Sequence, residues 1–509
     1  MERRNVSLLV VCFVLLLSIS MIGCDSSSSG GNIFGTPECN LAYNLPADMI
    51  SSEYCTDSTD PDQCDFDNYS WQTFLGLNAP SVGEPVNMSG DNPTQWAEWS
   101  STADLLDQGS TPGPSGSRYY PDVCQAVPDY QNYRVIDQVG KVDDSFLEAQ
   151  TGGLSSHPVI ASNGTFLRYE ILLSPATYDW IVSQGLNKVT TLKAMAESGT
   201  DVNFICGDGS YTDGDPANPQ MGAIVLKNAW MEISGFDPEE FHTEEMLVYT
   251  PAFRNSTGQA TCELKTMALV GMHIAHKTLN QPNWTWSTFE HVNNAPDCTA
   301  LPDDGDEEGD AGPSVSCPDS GDQDWNLFGV ICDAESPCQT CNTAPASNAS
   351  AGQCVNPSNP DATAYCLDLP PNPVQGLSRI CRQFPIDSIY PTAGDWNLEC
   401  SLALAGSVWS NYQLISTQWI SQDPQTTCTN NQKSIKAADP LPKTPVKGKN
   451  GKVRPFLGNT SMESYERSNC TGCHVKGSGT TFVVDGEDFK IVNDFMYWLV
   501  LEVPAANNR

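Results

Sequence analysis

The sequence predicts an α+β protein with a β-rich antiparallel body, a loop-rich, disulfide-stapled insertion and a short helical C-terminal segment. Short runs of β-forming residues succeed one another without the regular strand–helix alternation of parallel sheets. Nine cysteines lie between residues 296 and 400. Glycine (39) and proline (36) are frequent among the 509 residues, which indicates many turns, while a hydrophobic content of 39% permits a packed core.

The N-terminus resembles a bacterial lipoprotein signal. Arg3 and Arg4 precede an apolar run that leads into Met21-Ile22-Gly23-Cys24. We therefore expect a signal peptide over residues 1–24, a lipid on Cys24 and a tether with loops over residues 25–60. Met21 stands where leucine is usual. An ordinary cleaved signal peptide or an uncleaved anchor is the alternative. The expected location is the periplasm or outer surface of a bacterium, with the lipid in a membrane.

The predicted α+β body spans residues 61–295. The spacing of aromatic and aliphatic residues in 70–77 predicts a buried helix, and helical spacing recurs at 176–186 and 192–198. Runs rich in β-formers predict strands at 165–173, 223–227, 246–250 and 264–273. The pattern favours an antiparallel sheet.

The predicted Cys-rich insertion spans residues 296–400 and is rich in Pro, Asp, Ser and Asn. The chain has 20 cysteines. Setting aside Cys12 and Cys24 near the N-terminus and the pair Cys470 and Cys473 leaves an even number, which permits up to eight bridges. Their pairing does not follow from sequence. Cys338 and Cys341 form a C-x-x-C pair that we interpret as structural, with a redox dithiol as the alternative.

Residues 401–509 are predicted to return to the body and end in the C-terminal segment. Thr460-Ser461-Met462-Glu463 has the pattern of a capping box that opens a short helix. Further on, helical spacing places five apolar residues on one face: Phe489, Val492, Phe495, Met496 and Leu499.

The strongest chemical motif is Cys470-Thr471-Gly472-Cys473-His474. Two thiols at this spacing can form thioethers to the two vinyl groups of one haem, and the following histidine then presents its imidazole to the iron. The motif predicts one covalent haem c, held by Cys470, Cys473 and His474. A disulfide with an incidental histidine is the alternative interpretation.

The second axial ligand of the iron is expected from the body, because only residues 475–509 follow the motif. His273, then His276, then His291 are the favoured candidates; Met462 and Met496 compete with them. Trp284, Trp286 and Phe289 lie among these histidines and could cover a haem edge. For the histidines, a structural role or a zinc site with Glu290 are alternatives. For the methionines, core packing is the alternative.

Several segments resemble a family of large bacterial cytochrome c family proteins. They are residues 70–78, 269–278, 284–292, 411–419 and 459–463 before the C-x-x-C-H motif. The similarity runs from Trp71 to His474, and the Cys-rich insertion departs from it. The resemblance implies haem c binding by Cys470, Cys473 and His474. It implies no particular reaction, substrate or partner.

The charge balance is strongly acidic, with 62 acidic and 25 basic residues and a formal net charge of −37. Such a surface repels nucleic acid and favours a basic redox partner protein. Electron transfer at the cell envelope is the expected function. The alternatives are a peroxidase-like or oxygenase-like haem enzyme with an open iron site, and a non-catalytic haem-containing binding or sensor protein.

Overall fold

Eight of the strands form one mostly antiparallel sheet. The computed structural model describes residues 62–79, 93–106, 112–137, 158–207, 221–298 and 391–419, together with shorter stretches between residues 39 and 503. These residues belong to one compact unit, Gly35–Arg509. Strands predominate, helices are few and disulfides are present, which agrees with the predicted α+β class.

The regular elements are numbered in chain order. The strands are β1 (Ser100–Ser101), β2 (Arg134–Ile136), β3 (Arg168–Leu173), β4 (Ile224–Glu232), β5 (Thr243–Thr250), β6 (Thr261–Thr278), β7 (Gln281–His291), β8 (Val355–Asn356), β9 (Asn359–Thr363), β10 (Tyr412–Trp419), β11 (Val446–Lys447), β12 (Val453–Arg454), β13 (Gly479–Val484) and β14 (Glu487–Val492). The α-helices are α1 (Gln63–Asn78), α2 (Thr102–Leu106), α3 (Pro175–Gln184), α4 (Val189–Ser198) and α5 (Pro391–Ala403). The 3₁₀ turns are Cys124–Ala126, Tyr130–Asn132, Pro238–Glu240, Ala252–Arg254 and Val408–Asn411.

The 18-residue strand β6 organises the large sheet. Antiparallel β4 pairs with β6 from Met267 to His276. On the other edge, β5 pairs with the first half of β6 and β7 with the second half. β10 extends the sheet beyond β7, and β2 adds to β5 as a parallel strand. The predicted strands correspond to β3, β4, β5 and β6, and the two later predicted helices correspond to α3 and α4.

Helix α1 confirms the predicted buried helix around residues 70–77. Asp62 caps it by accepting from the backbone N–H groups of Cys64 and Asp65, and the Asp65 side chain accepts from the N–H of Asp62, which completes a capping box. The Ser70 hydroxyl of this helix forms hydrogen bonds with the hydroxyls of Ser287 on β7 and Thr417 on β10, at 2.6 and 2.7 Å. One face of the β6–β7–β10 strands is therefore covered by α1.

The C-terminal segment differs from the helix predicted from the spacing of Phe489 to Leu499. Phe489 and Val492 lie in β14, which pairs with β13 as a hairpin. The turn between the two strands includes Gly486 at φ +81°. A run of β-favouring residues, Phe489, Ile491 and Val492, outweighs the helical spacing here. The capping residue before the motif is Asn459 and not the predicted Thr460, because Asn459 Oδ1 accepts from the N–H of Ser461 at 2.9 Å and Glu463 Oε2 accepts from the N–H of Asn459 at 2.8 Å. The helix predicted to follow this turn falls on residues 464–469, which lie outside the described residues.

Disulfides tie distant parts of the chain together. The bridges whose two cysteines both lie in the described part of the chain include Cys39–Cys400, Cys124–Cys262, Cys298–Cys381, Cys317–Cys341 and Cys354–Cys366. The bridge to Cys341 agrees with a structural role for that cysteine; Cys338 lies outside the described residues. None of the helices in the described part of the chain has the length and apolar character needed to cross a membrane.

Candidate functional site

Strands β6 and β7 present two different faces. In their register Gly271 pairs with Glu290, His273 with Thr288 and Ala275 with Trp286. Because side chains alternate along a strand, these six residues share one face, which we call the C-terminal face. The intervening residues, among them His276 and Phe289, belong to the opposite face, which carries α1 and which we call the helix face.

A turn formed by Gly458–Glu463 docks on the C-terminal face. The Asn459 side chain donates to Thr288 Oγ1 at 3.0 Å and to the carbonyl of Phe289 at 2.7 Å. Its Oδ1 accepts from the backbone N–H and the hydroxyl of Ser461. Gly271 lies directly beneath, where a Cβ would stand 2.1 Å from Ser461 Oγ. A glycine at position 271 therefore permits the close approach of the turn to the strand.

Glu290 binds the same turn through its carboxylate. Glu290 Oε2 accepts from the backbone N–H of Thr460 and from the Thr460 hydroxyl, both at 2.7 Å. Its other oxygen, Oε1, accepts from Arg382 of the Cys-rich insertion. Burial alone would lower the pKa of Arg382, but the Glu290 and Asp297 carboxylates beside it raise that pKa above its ordinary value. The Glu290 side chain is fully buried.

Two residues of the C-x-x-C-H motif lie on this face. The backbone N–H of Cys470 donates to Gln418 Oε1 at 2.9 Å, and Gln418 is the β10 partner of Trp286. The His474 imidazole and the Trp286 indole have ring centroids 5.1 Å apart. Cys470 and His474 both have helical backbone conformation. Cys473 lies outside the described residues, as does Cys24 of the predicted lipidation site.

The surroundings of Cys470 are apolar. It packs on a cluster of side chains drawn from the sheet and from the C-terminal hairpin, including Trp284, Trp286, Phe482, Met496 and Leu499. A thiol and an imidazole beside aromatic and aliphatic side chains are the groups that a covalently attached haem requires. This donor set could therefore hold a haem c.

His273 is the candidate axial ligand that shares the C-terminal face with the motif. It pairs with Thr288, two residues from Trp286 on the same strand face, which makes His273 and Trp286 diagonal neighbours. His273 Nε2 lies 3.4 Å from Glu463 Oε1 of the docked turn, and both side chains are mostly buried. The imidazole is thus held next to the segment that leads into the motif.

His276 and His291 belong to the helix face. The Nδ1 atom of His276 is 3.0 Å from the hydroxyl of Tyr69 on α1. Both ring nitrogens of His291 are engaged: Nδ1 accepts from the N–H of Asn293, so Nε2 carries the proton donated to the carbonyl of Glu240. Burial lowers the pKa of His291 to about 4, although the bond to Glu240 opposes the change.

The two candidate methionines lie in different clusters. Met462 is fully buried in a core cluster with Tyr169, Ala268 and Val270, apart from the cluster that contains Cys470. Met496 is 2% exposed and belongs to the same cluster as Trp286, against which Cys470 packs. Met496 is therefore the methionine placed near the motif.

A buried ion pair fixes the far end of the C-terminal segment. Lys277 Nζ on β6 pairs with Asp494, just after β14, and both side chains are fully buried. Asp494 Oδ2 also accepts from the N–H of Phe204 at 2.7 Å. Burial lowers the pKa of Lys277, and the Asp494 carboxylate partly opposes this change.

The structure adds residues to the candidate site that the sequence did not suggest. They are Gln418, Arg382, Thr460 as a hydrogen-bond donor to Glu290, and the Lys277–Asp494 pair. Arg382 and Glu290 are 92 positions apart, so no local pattern connects them. Within the described ranges, no group of three or more His, Cys, Asp or Glu side chains is arranged to hold a metal ion.

Comparison with known proteins gave no matching family model, no matching curated protein and no matching solved structure.

Proposed function

We propose that this chain is an exported c-type cytochrome that carries one covalent haem on Cys470 and Cys473, with His474 as an iron ligand, and transfers electrons at the cell envelope. The observation that supports this most is the position of Cys470 and His474 beside apolar side chains, with His474 against Trp286 and Cys470 against the surrounding cluster.

The chain's own residues would attach, orient and cover the group. Gln418 holds the backbone at Cys470, Trp286 sets the orientation of the His474 ring, and the hairpin β13–β14 contributes Phe482 to the apolar cover. The haem supplies an iron that exchanges one electron between its ferric and ferrous states. Apolar cover excludes water from the haem edge, which raises the reduction potential relative to an exposed haem.

Electron transfer is favoured over a haem enzyme by the position of His273. A second imidazole on the face that seats the motif suits a six-coordinate iron, whereas substrate chemistry needs an open iron position. His276 and His291 hydrogen-bond to other partners on the helix face.

The envelope location and the partner follow from the sequence. We propose that lipid on Cys24 anchors the chain to a membrane, and that a basic protein exchanges electrons with its acidic surface, given the net charge of −37. Mass spectrometry of the mature N-terminus tests the anchor. An N-terminus at another residue without acylation would rule out the anchor while leaving the haem proposal standing.

The decisive experiment measures covalent haem. The full chain is produced in a bacterium that matures c-type cytochromes, extracted with acid–acetone and analysed as the pyridine haemochrome. We expect one c-type haem per chain that survives extraction, and loss of most of it in Cys470→Ala. Thr471→Ala, which leaves Cys470, Cys473 and His474 in place, is the matched control and should bind haem normally. Complete extraction of haem from the wild-type protein would refute the proposal.

The coordination state separates electron transfer from enzyme chemistry. Six-coordinate, low-spin iron in both oxidation states, with no spectral response to added carbon monoxide or cyanide, supports electron transfer. A five-coordinate, high-spin iron that binds these ligands would instead support a haem enzyme.

A further inference from the structure

Arg382 reaches the C-terminal face from the Cys-rich insertion. Its backbone is fixed on both sides, because its N–H donates to the carbonyl of Pro296 at 2.7 Å and its carbonyl accepts from the N–H of Cys298 at 2.8 Å. The disulfide Cys298–Cys381 closes the same pair of segments. The guanidinium that contacts Glu290 is therefore carried by a constrained backbone segment and not by a free loop.

Glu290 connects Arg382 to the segment that precedes the C-x-x-C-H motif. One carboxylate oxygen accepts from Arg382, and the other accepts two hydrogen bonds from Thr460. A buried carboxylate keeps its charge and its orientation only when it is paired and hydrogen-bonded. Arg382 thus supplies the counter-charge that keeps Glu290 available to hold Thr460.

We propose that Arg382 is a positioning residue for the haem-bearing segment, acting through Glu290, and that the Cys-rich insertion is in this way a working part of the haem site. The inference rests on the proposed function. Without the Arg382 charge, Glu290 is left buried and unpaired, so water enters and the two bonds to Thr460 weaken. The Gly458–Glu463 turn then loosens on the face that seats Cys470 and His474, and the haem becomes more exposed.

The test compares four variants of the full chain: Arg382→Gln, Arg382→Lys, Thr460→Val and Arg379→Gln. The lysine variant keeps the charge. The valine variant keeps the Arg382–Glu290 pair and removes one hydrogen bond to Glu290. Arg379→Gln removes a charge three positions away in the same insertion, where the side chain is half-buried and its neighbours Ser378 and Ile380 are buried, and so serves as the matched control.

Two quantities are measured: amide hydrogen exchange of peptides covering residues 459–474, and the reduction potential of the haem. For Arg382→Gln we expect about tenfold faster exchange in these peptides and a lower potential, with one covalent haem retained because the thioethers do not depend on docking. Arg382→Lys should restore most of both properties. Thr460→Val should show a smaller change in the same direction, and Arg379→Gln should match the wild-type protein.

A general loss of stability would speed exchange throughout the chain and leave the potential of the folded fraction unchanged, so the potential distinguishes positioning from a merely structural role. If Arg382→Gln fails to fold, Arg382→Lys and Thr460→Val decide together: the lysine variant should keep most of the wild-type exchange and potential because it retains the charge, and the valine variant, which leaves the ion pair intact, should shift both if Glu290 carries the effect to Thr460. Wild-type exchange and potential in folded Arg382→Gln, or in Thr460→Val when Arg382→Gln does not fold, would overturn the inference. Absence of covalent haem in the wild-type protein would overturn the proposed function instead, and the exchange measurement would still report whether Arg382 fixes the turn.

Discussion

The imidazole ring of His474 and the indole ring of Trp286 lie with their centroids 5.1 Å apart and their planes inclined by 32°. Trp286 is 2% exposed in the middle of β7, and its partner on β10, Gln418, accepts from the backbone of Cys470. Trp286 thus contacts His474 of the motif directly, and Gln418, its neighbour on the next strand, contacts Cys470. Replacing Trp286 should therefore have the most direct effect on the proposed haem site.

Replacing Trp286 with leucine should change the haem without removing it. Covalent attachment depends on the two cysteines, so we expect one haem per chain, a lower reduction potential and an altered absorption spectrum because apolar cover is lost. Stability should fall by less than the roughly 3–5 kcal/mol typical of truncating a buried tryptophan to alanine. Spectroelectrochemistry and chemical denaturation measure the two effects.

Trp409→Leu is the matched control for this experiment. Trp409 is 1% exposed and stacks on His242 in the core cluster that contains α1, away from the cluster against which Cys470 packs. Trp409→Leu should lower the free energy of unfolding by a similar amount and leave the reduction potential and absorption spectrum unchanged. Equal changes in potential in both variants would show that Trp286 has no special relation to the haem.

Replacing His273 with alanine should convert a low-spin haem to high-spin. His273 alone among the three candidate histidines lies on the C-terminal face, whereas His276 and His291 lie on the helix face with other hydrogen-bond partners. His276→Ala and His291→Ala should therefore keep the low-spin spectrum. Bis-histidine ligation lacks the weak far-red band of methionine–histidine ligation. Such a band in the wild-type protein, abolished by Met496→Leu or Met462→Leu, would place the ligand in the C-terminal segment instead.

Much of the body could be predicted because its patterns are local. The helix around Trp71 and the strands around Tyr169, Val225, Val248 and Val270 follow from apolar spacing and β-branched or aromatic residues. Alternation along a strand also places His273 and His276 on opposite faces, and both residues lie on β6. Alternation along a strand needs no knowledge of its neighbours.

The C-terminal segment could not be predicted in the same way. The apolar residues Phe489, Val492, Met496 and Leu499 fit a helical spacing, but the pairing of β14 with β13 decides the conformation of the first two. Thr460 contacts Glu290 from 170 positions away in the sequence, and Arg382 contacts it from 92 positions away. Spacing within a short window carries no information on such contacts.

The buried His291 should make folding less stable in mild acid. Burial lowers its pKa from 6.5 to about 4 in the folded chain. Between these two values the unfolded chain binds a proton that the folded chain does not, so stability falls as the pH is lowered from 6.5 towards 4. The shift corresponds to a loss on the order of 3 kcal/mol by pH 4.

The measurement is the difference in unfolding free energy between the wild-type protein and His291→Gln, at several values of pH from 7.5 to 4. Glutamine keeps a donor and an acceptor but does not titrate in this range. The wild-type curve should fall more steeply with acid than the variant curve. Parallel curves would mean that His291 is protonated equally easily in both states.

The last prediction concerns the Lys277–Asp494 pair, which anchors the segment after the C-x-x-C-H motif. Both side chains are fully buried, and Nζ of Lys277 also lies 5.8 Å from the centre of the Trp284 ring. Removing one partner of a buried ion pair leaves the other charge uncompensated, which costs about 3–5 kcal/mol, whereas removing both charges costs much less. Lys277→Met alone should therefore be strongly destabilising, and the double variant Lys277→Met, Asp494→Asn should recover a large part of the loss.

Asparagine suits position 494 because this residue has φ +53°, a conformation that asparagine tolerates, and its side-chain oxygen can still accept from the N–H of Phe204. Denaturation followed by tryptophan fluorescence gives the four unfolding free energies, those of the wild-type protein, Lys277→Met, Asp494→Asn and the double variant. If the double variant is as unstable as the sum of the two single variants, the charges act independently and the anchor is not an ion pair. If instead the losses are strongly non-additive, the hairpin that covers Cys470 is held by the charge pair, and the single variant Lys277→Met should also show a lowered haem potential in its folded fraction.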